Sequence, residues 1–321
     1  MKNKVILIIP YFGQFPSLYE AWEKSALKQS DWIDFLILTD AHFIGRKNIK
    51  IINITFEDLK KNIESFFHEN NLIQFPYDLV NFKPAYGEIF NKMIIGYNYW
   101  GYGDLDCVYG NLKSFVFPGV RKGYQKIGDF GHFTLFKNNK FMNSLYRLKT
   151  KNSPDFLTFV KKHSEKNHLK EYIAFDETAG IDIKTTDMGI DTYIPKNFCL
   201  DINPFKLPLF FKKSPIIYIK ILETQIIAFF ADGIVTEFGY VHYQKRNLIL
   251  KLKQKVVYPF FITSTSIEYS EAKIRDNNFF PNLIERILFS WSIAKKSSKN
   301  RHGLPFLSLI IFVRNFKRYG I

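Results

Sequence analysis

Val5-Ile6-Leu7-Ile8-Ile9-Pro10-Tyr11-Phe12-Gly13 is the stretch on which the fold of this chain turns. Five consecutive aliphatic residues closed by a proline suit a short strand of a parallel sheet, where both faces are covered and no polar alternation is needed. Downstream, Ser17 is placed to cap a helix in which Leu18, Trp22, Ala26 and Leu27 recur at helical spacing. Asp34-Phe35-Leu36-Ile37-Leu38-Thr39-Asp40 predicts a second strand, and Ile49-Lys50-Ile51-Ile52-Asn53-Ile54 a third. Thr55 then opens a helix toward Phe67, with Asp58 at the capping-box position. The order β-α-β-β-α implies an open, mostly parallel sheet, which binds ligands beyond the carboxyl ends of its strands. Tyr11, Phe12 and Gly13, Thr39 and Asp40, and Asn53 are therefore ligand candidates. Neither G-x-G-x-x-G nor G-x-x-x-x-G-K-[ST] occurs at these turns, so the dinucleotide and P-loop fingerprints are absent.

The same opening stretch also invites a signal-peptide reading, since Met1-Lys2-Asn3-Lys4 precedes it. Its apolar core is only five residues long and no small-residue cleavage site follows, so a buried first strand is the better reading. The longest uncharged run, Val5 to Tyr19, is broken by Pro10 and Pro16 and falls short of the ~20 residues needed to span a bilayer. The chain reads as soluble or peripheral to a membrane. Its 321 residues suffice for a large α/β domain with an appendage, or for two ordinary domains. With 46% apolar, 23% charged and 17% aromatic residues, disordered and fibrous classes are excluded. The excess of Ile, Asn, Lys and Phe matches the codon usage of an AT-rich genome, so the aromatic fraction alone carries no functional weight. Cys107 and Cys199 stand far apart with no C-x-x-C, which suggests neither a disulfide framework nor a zinc site. No internal repeat, heptad run or low-complexity linker is found.

From Asn81 the chain reads Asn81-Phe82-Lys83-Pro84-Ala85-Tyr86-Gly87, then an apolar helix to about Tyr99, then Trp100-Gly101-Tyr102-Gly103-Asp104-Leu105-Asp106-Cys107-Val108-Tyr109-Gly110. In an extended segment residues i and i+2 point to one side, so Asp104 and Asp106 can converge on one divalent cation while Leu105 faces the core. An ion so held neutralises charge developing on a departing diphosphate. The spacing alone is weak, because acidic turns of this kind are also common as solvated loops. Lys83, ahead of a proline, is pushed toward an extended conformation from which it can meet a phosphate, or stand as a solvated lysine. His242, Lys245 and Arg246 form an imidazole and cation cluster after a β-like run: the imidazole can complete a metal shell and the cations can grip a diphosphate. Asp176 and Glu177 follow an apolar run and suit either a general base at a cleft lip or, for Asp176, a helix N-cap. His132, between Gly131 and Phe133, can line an acceptor site or sit half buried. A basic helical stretch is expected up to Tyr172, with strands over 215–230 and near 256–263.

Taken in order, the Pro-Tyr-Phe-Gly strand end, Lys83-Pro84-Ala85-Tyr86-Gly87, Trp100 to Gly110, Gly131-His132-Phe133-Thr134-Leu135, Phe175-Asp176-Glu177 and His242-Tyr243-Gln244-Lys245-Arg246 resemble a family of bacterial glycosyltransferases of the GT-A type. Those enzymes are encoded in capsule, exopolysaccharide and cell-wall glycan clusters. The resemblance covers roughly residues 1–250. It implies an α/β, Rossmann-type, mostly parallel sheet flanked by helices, with residues 1–112 as a nucleotide-sugar-binding half and 113–255 as an acceptor half. It also implies Mn²⁺ or Mg²⁺ on Asp104 and Asp106, with His242 as a third ligand. The nucleotide sugar expected is a UDP-sugar, its base near Tyr11, Phe12 and Asp40 and its diphosphate held by the ion together with Lys83, Lys245 or Arg246, with Tyr86 a further cofactor-binding candidate. The acceptor, a glycan or glycolipid, would pass His132 toward Asp176 or Glu177.

The net charge is +15, and between Pro281 and Ile321 eight Lys or Arg face one acid, Glu285. Residues 256–321 read as a C-terminal basic extension, whose Leu283, Ile284, Ile287, Leu288 and Trp291 suit amphipathic helices on an anionic leaflet or a helix packed on the catalytic domain. The expected location is the cytoplasmic face of the cell membrane. Two rivals are weighed. A haloacid-dehalogenase-type phosphatase would use Asp104 as nucleophile, but that fold puts its motif on the first strand. A nucleic-acid-binding protein would explain the charge, but no recognised binding module is present.

Overall fold

The computed structural model describes residues 4–165, 174–177, 180–202, 209–212, 214–244, 249–250, 256–264 and 266–270. Among these the chain forms two compact units, neither continuous in sequence. The first is built from residues up to Tyr19, Ala26–Leu105 and Lys113–Lys196; the second from Glu20–Ser25, Asp106–Leu112 and residues from Asn197 onward. The expected basic segment from Pro281 lies outside the described residues, as do Lys245 and Arg246.

The first unit is organised by a seven-stranded sheet. Its strands are β1 (Val5–Pro10), β2 (Ile33–Thr39), β3 (Ile49–Asn53), β4 (Tyr99–Gly103) and, after β5 (Cys107–Tyr109) of the second unit, β6 (Lys126–Phe130), β7 (Phe133–Lys137) and β8 (Thr192–Tyr193). The order is β3-β2-β1-β4-β7-β6-β8. The first four are mutually parallel, β7 runs antiparallel to both neighbours, and β8 is parallel to β6. The aliphatic run 5–9 is thus the central strand that its lack of alternation predicts, and Val5 to Ile9 are fully buried. Helices α2 (Phe56–Phe67), α3 (Tyr86–Ile89), α4 (Leu112–Lys122), α5 (Lys140–Asn143), α6 (Phe156–Glu165) and α7 (Ile181–Asp187) make the α part of this mostly parallel α/β architecture, whereas most of α1 (Tyr19–Leu27) belongs to the second unit.

Local signals hold in part. Thr55 caps α2, its Oγ1 accepting the amide of Asp58 at 3.1 Å while its hydroxyl donates to the Asp58 carboxylate. Ser17 does not cap α1; Leu18 occupies that position without a side-chain bond. The apolar helix expected over 85–99 is instead a 3₁₀ helix (Pro76–Ala85), the single turn α3, and a short 3₁₀ turn before β4. Pro84 inside the first piece, Gly96 at φ +84° and the aromatic β-forming run from Tyr97 explain the break. The basic helix expected to reach Tyr172 is seen as α6, and residues 166–173 lie outside the described residues.

Aromatic residues, which composition alone left without a role, build the core of this unit. Phe156 meets Phe67, Phe82, Tyr146 and Phe175 at ring separations of 5.4, 5.7, 4.8 and 5.0 Å, and Trp100 stacks on Phe136 at 5.0 Å. Each such buried ring contributes about 2–3 kcal/mol of apolar transfer and fixes geometry besides. Phe175, wholly buried in that cluster, anchors the turn that carries Asp176 and Glu177.

The second unit carries a three-stranded sheet in which β14 (Tyr240–His242) lies between β5 and β9 (Cys199–Asp201), antiparallel to the first and parallel to the second. A larger sheet runs β13 (Val235–Phe238), β12 (Ile226–Phe230), β11 (Ser214–Ile221), β16 (Phe260–Ile262), β17 (Ser266–Glu268), β15 (Ile249–Leu250), with β10 (Leu209–Phe211) also paired to β11. The strands expected over 215–230 and near 256–263 are therefore present. Cys107 and Cys199, on β5 and β9, are both buried free thiols.

Candidate functional site

The register of the parallel strands aligns the residues that follow them. Pro10 pairs with Leu38, Thr39 with Asn53, and Ile8 with Tyr102, so Tyr11 and Phe12, Asp40, and Asp104 all leave the same edge of the first unit's sheet. The chain winds outward through β1, β2 and β3 and then returns to place β4 on the other side of β1. Strand order reverses there, which opens a crevice at the carboxyl ends of β1 and β4. Asp104 stands directly after β4, with its side chain 35% exposed.

Around Asp104 this unit assembles an acid–lysine cluster. Lys83, within the 3₁₀ helix rather than on an extended loop end, is buried, and its Nζ lies 2.9 Å from Asp104 Oδ1, 2.8 Å from the Gly131 carbonyl and 3.4 Å from Asp176 Oδ2. Three acceptors match the three N–H donors of an ammonium, so Lys83 spends its hydrogen bonds inside the cluster rather than on a phosphate. Burial alone would lower its pKa, but Asp104 and Asp176 outweigh that cost and keep it charged. Asp176, only 4% exposed, is not a helix cap, since Gly180 occupies that position for α7. Burial pushes its carboxyl up to about 7, with Glu177 and Asp104 adding to the rise and Lys83 opposing it. The turn is held from both sides: Tyr102 Oη donates to the Asp176 carbonyl at 2.9 Å and Asn81 Oδ1 accepts the Phe175 amide at 3.0 Å.

Gly131, in the turn joining β6 and β7, is the hinge-pin of this arrangement. Its amide donates to Glu177 Oε1 at 2.7 Å while its carbonyl accepts from Lys83. A Cβ at this position would lie 2.5 Å from Asp176 Oδ2 and 2.7 Å from Glu177 Oε1. Gly131→Ala should therefore displace both carboxylates and cost about 1–3 kcal/mol, read as a loss in urea-unfolding free energy; an unchanged midpoint would mean the acids are not held against it. Asp176 also yields a pH prediction. The folded chain keeps its proton between pH ~4 and ~7, where the unfolded chain has released it, so stability attributable to this group falls as pH rises through that window. In Asp176→Asn the decline should flatten.

The second unit holds the other half of the expected site. The chain bends after Gly103, and Asp104 and Asp106 do not lie on one extended strand; Asp106 belongs to the second unit, just before β5. Leu105 between them is fully buried, as expected. His242, at the end of β14, points Nε2 toward Asp106 Oδ1 at 3.5 Å, and Nδ1 lies 2.9 Å from Asp201 Oδ1. Asp201 is the Cα partner of His242 across the β9–β14 pairing, and Gln244 Nε2 donates to the same oxygen at 2.6 Å. Burial opposes protonation of this imidazole, but the flanking Asp106 and Asp201 carboxylates raise it to about 9.

The remaining candidates are placed as follows. Tyr11 bonds to the chain around it, its amide to the Leu38 carbonyl and its hydroxyl to that of Gln14; Phe12 packs edge-on against Phe56 at 5.6 Å; Asp40 is exposed. Tyr86 is buried, its hydroxyl donating to the Leu79 carbonyl. His132 is 5% exposed and stacks on Phe130 at 5.0 Å. Sequence reasoning missed Asp201, Gln244, Tyr102 and the structural part of Asn81. Asn81, Tyr102 and Gln244 carried a signal, by standing inside the segments already singled out; Asp201 carried none.

An α/β chain with a Rossmann-like sheet, a buried acid–lysine cluster at its switch point and a separate carboxylate–imidazole pair is thus the class defined here. The chain belongs to a family of unknown function (DUF6625), which matches residues 7–271. No curated protein matches it.

Proposed function

We propose that this chain is a metal-dependent glycosyltransferase of the GT-A type, moving a sugar from a UDP-sugar to a glycan or lipid-linked acceptor. The observation that carries the reading is Asp104 placed directly after β4, where the strand order reverses beside β1, with Lys83 and Asp176 packed behind it. The donor set fits a hard or borderline divalent ion: Asp106 offers a carboxylate oxygen, His242 an imidazole nitrogen, and Asp201 holds the other ring nitrogen, the outer-shell arrangement that fixes a ligating histidine. Asp104 is the second carboxylate that the Asp104-Leu105-Asp106 spacing assigns. Mn²⁺ or Mg²⁺ would supply positive charge where the diphosphate leaves.

The chain's own residues divide the rest of the work. Tyr11, Phe12 and Asp40 leave the sheet edge where a base would lie. Lys83 is a positioning residue, orienting Asp104 and Asp176. Lys245 and Arg246 are the cations left to take the diphosphate. His132 lines the acceptor path, and Glu177, less buried than Asp176, is the base that takes the acceptor's proton in an inverting reaction. The basic segment from Pro281 would attach the enzyme to the inner leaflet, and its deletion should move the protein to the soluble fraction. Among the described residues no helix is long and apolar enough to cross a membrane.

A thermal-shift series with nucleoside diphosphates, with and without Mn²⁺, tests this reading directly. UDP and Mn²⁺ together should stabilise the full chain by about 2.7 kcal/mol at a hundredfold excess over Kd. No stabilisation by any nucleotide, or brisk hydrolysis of an aryl phosphate in Mg²⁺, would overturn it. Asp201→Ala should weaken Mn²⁺ binding by about 10–100-fold, measured by titration calorimetry, while leaving UDP binding without metal unchanged.

A further inference from the structure

We infer that the loop between β2 and β3, residues 40–48, is a lipid-facing tip that docks the first unit on an anionic membrane surface. Ile44 is 91% exposed and Phe43 38% exposed, a continuous apolar point on an otherwise polar loop. The point is rigidly backed. Phe43 stacks flat on Phe15 at 4.7 Å and 1°, Phe15 packs against Tyr19 at 4.6 Å and edge-on against Tyr11 at 5.2 Å, and Tyr19 reaches Phe43 at 5.5 Å. Behind the tip the loop closes on itself, with paired backbone bonds between Arg46 and Ile49 of 2.9 and 2.8 Å. A Cβ on Gly45 would strike the Ile49 carbonyl at 2.7 Å, so the tight return is part of the construction.

The charge around the point selects the partner. Arg46 and Lys47 are exposed immediately beside Ile44, against a single loop acid, Asp40, and the nearby Lys50 is engaged with Asp34. An apolar tip rimmed by cations is the arrangement that sinks into the headgroup boundary of an anionic leaflet. A nucleic-acid surface would satisfy the cations but leave Ile44 in water, and a soluble protein partner would need an apolar pocket that gives no role to Arg46 and Lys47. The loop starts at the carboxyl edge that Tyr11 and Asp104 also leave, where Phe43 rests on Phe15, and then runs back to the amino end of β3, so Phe43 lies on its carboxyl-edge half and Arg46 and Lys47 nearer the amino end. This inference does not depend on the transfer reaction, because lipid binding is measured without donor or acceptor.

The experiment uses the full chain carrying Ile44→Cys labelled with an environment-sensitive nitrobenzoxadiazole probe; the native Cys107 and Cys199 are buried. Vesicles of phosphatidylglycerol and phosphatidylcholine should shift the emission to the blue and raise its intensity, less so in high salt and not at all with phosphatidylcholine alone. The probe reports this loop only, so membrane binding through the segment from Pro281 does not imitate the result. Ile44→Asp should lower partition onto the mixed vesicles by about tenfold. Ile95→Asp, at a 76% exposed position ahead of β4, should leave it unchanged. A chain that sediments with vesicles while the probe stays silent overturns the inference. So does an equal response to neutral vesicles, a response to an oligonucleotide instead, or an equal loss in the Ile95 variant.

Discussion

Replacing Lys83 with methionine should destabilise the chain by about 3–5 kcal/mol at pH 8, the usual cost of removing one partner from a buried ion pair. The side chains are close in volume, so the loss reports charge rather than packing. Lys83 is the positive member of this cluster among three carboxylates: Asp104 and Asp176 contact it, and Glu177 meets them through Gly131. Without it Asp176 keeps its buried environment and loses the one neighbour that lowers its pKa. The carboxyl then takes up a proton to a higher pH than before, so the cost should shrink at pH 5, where a neutral Asp176 needs no counter-charge. Arginine should not rescue the variant, because its planar fork cannot reproduce one compact ammonium reaching three converging acceptors. Urea unfolding at the two pH values checks this. A loss below about 1 kcal/mol at pH 8 would mean that solvent, rather than Lys83, compensates the acids.

Asp106→Asn is the second large effect: sugar transfer should fall by about 10³-fold or more, comparable to removing a preorganised electrostatic group, with the fold retained. Asparagine keeps the shape and removes the charge, and Mn²⁺ titration gives a readout independent of turnover. In the metal-free protein His242 is held protonated up to about pH 9 by Asp106 and Asp201. An ion binding its nitrogen must displace that proton, so Mn²⁺ uptake should release protons near neutral pH and weaken as pH falls. His242 also stabilises the metal-free fold below its ordinary pKa of ~6.5, and that contribution is lost as pH rises toward 9. In the Asn variant both the proton release and that slope should diminish. Full activity in excess chelator would remove the ion from the reaction altogether.

The parallel core was legible because its signal is local. Residues 5–9, 34–39 and 49–53 are short aliphatic runs closed by polar residues or proline, and the Thr55 cap needs only three neighbouring residues. The region between Pro76 and Tyr99 was not legible, because alternating proline, glycine and aromatic residues satisfy helical spacing without sustaining helical hydrogen bonds. The cluster's members Lys83, Asp104, Asp176 and Glu177 were each singled out, but their mutual arrangement was not, since it depends on the β6–β7 turn and on Phe175 entering the aromatic core. Asp201 left no trace in the sequence at all. Its role arises from strand register, and nothing near Cys199-Leu200-Asp201 announces which strand will lie beside it.

That small sheet has a consequence for how the protein is made. Its middle strand, Tyr240–His242, leaves the ribosome well after one neighbour, Cys107–Tyr109. Until the late strand is synthesised, Asp106 has no imidazole beside it and the two outer strands have no common partner. Nascent or prematurely terminated chains can complete the aliphatic sheet of the first unit yet lack the carboxylate–imidazole pair, so metal capture would mark synthesis of the Tyr240–His242 strand rather than early collapse.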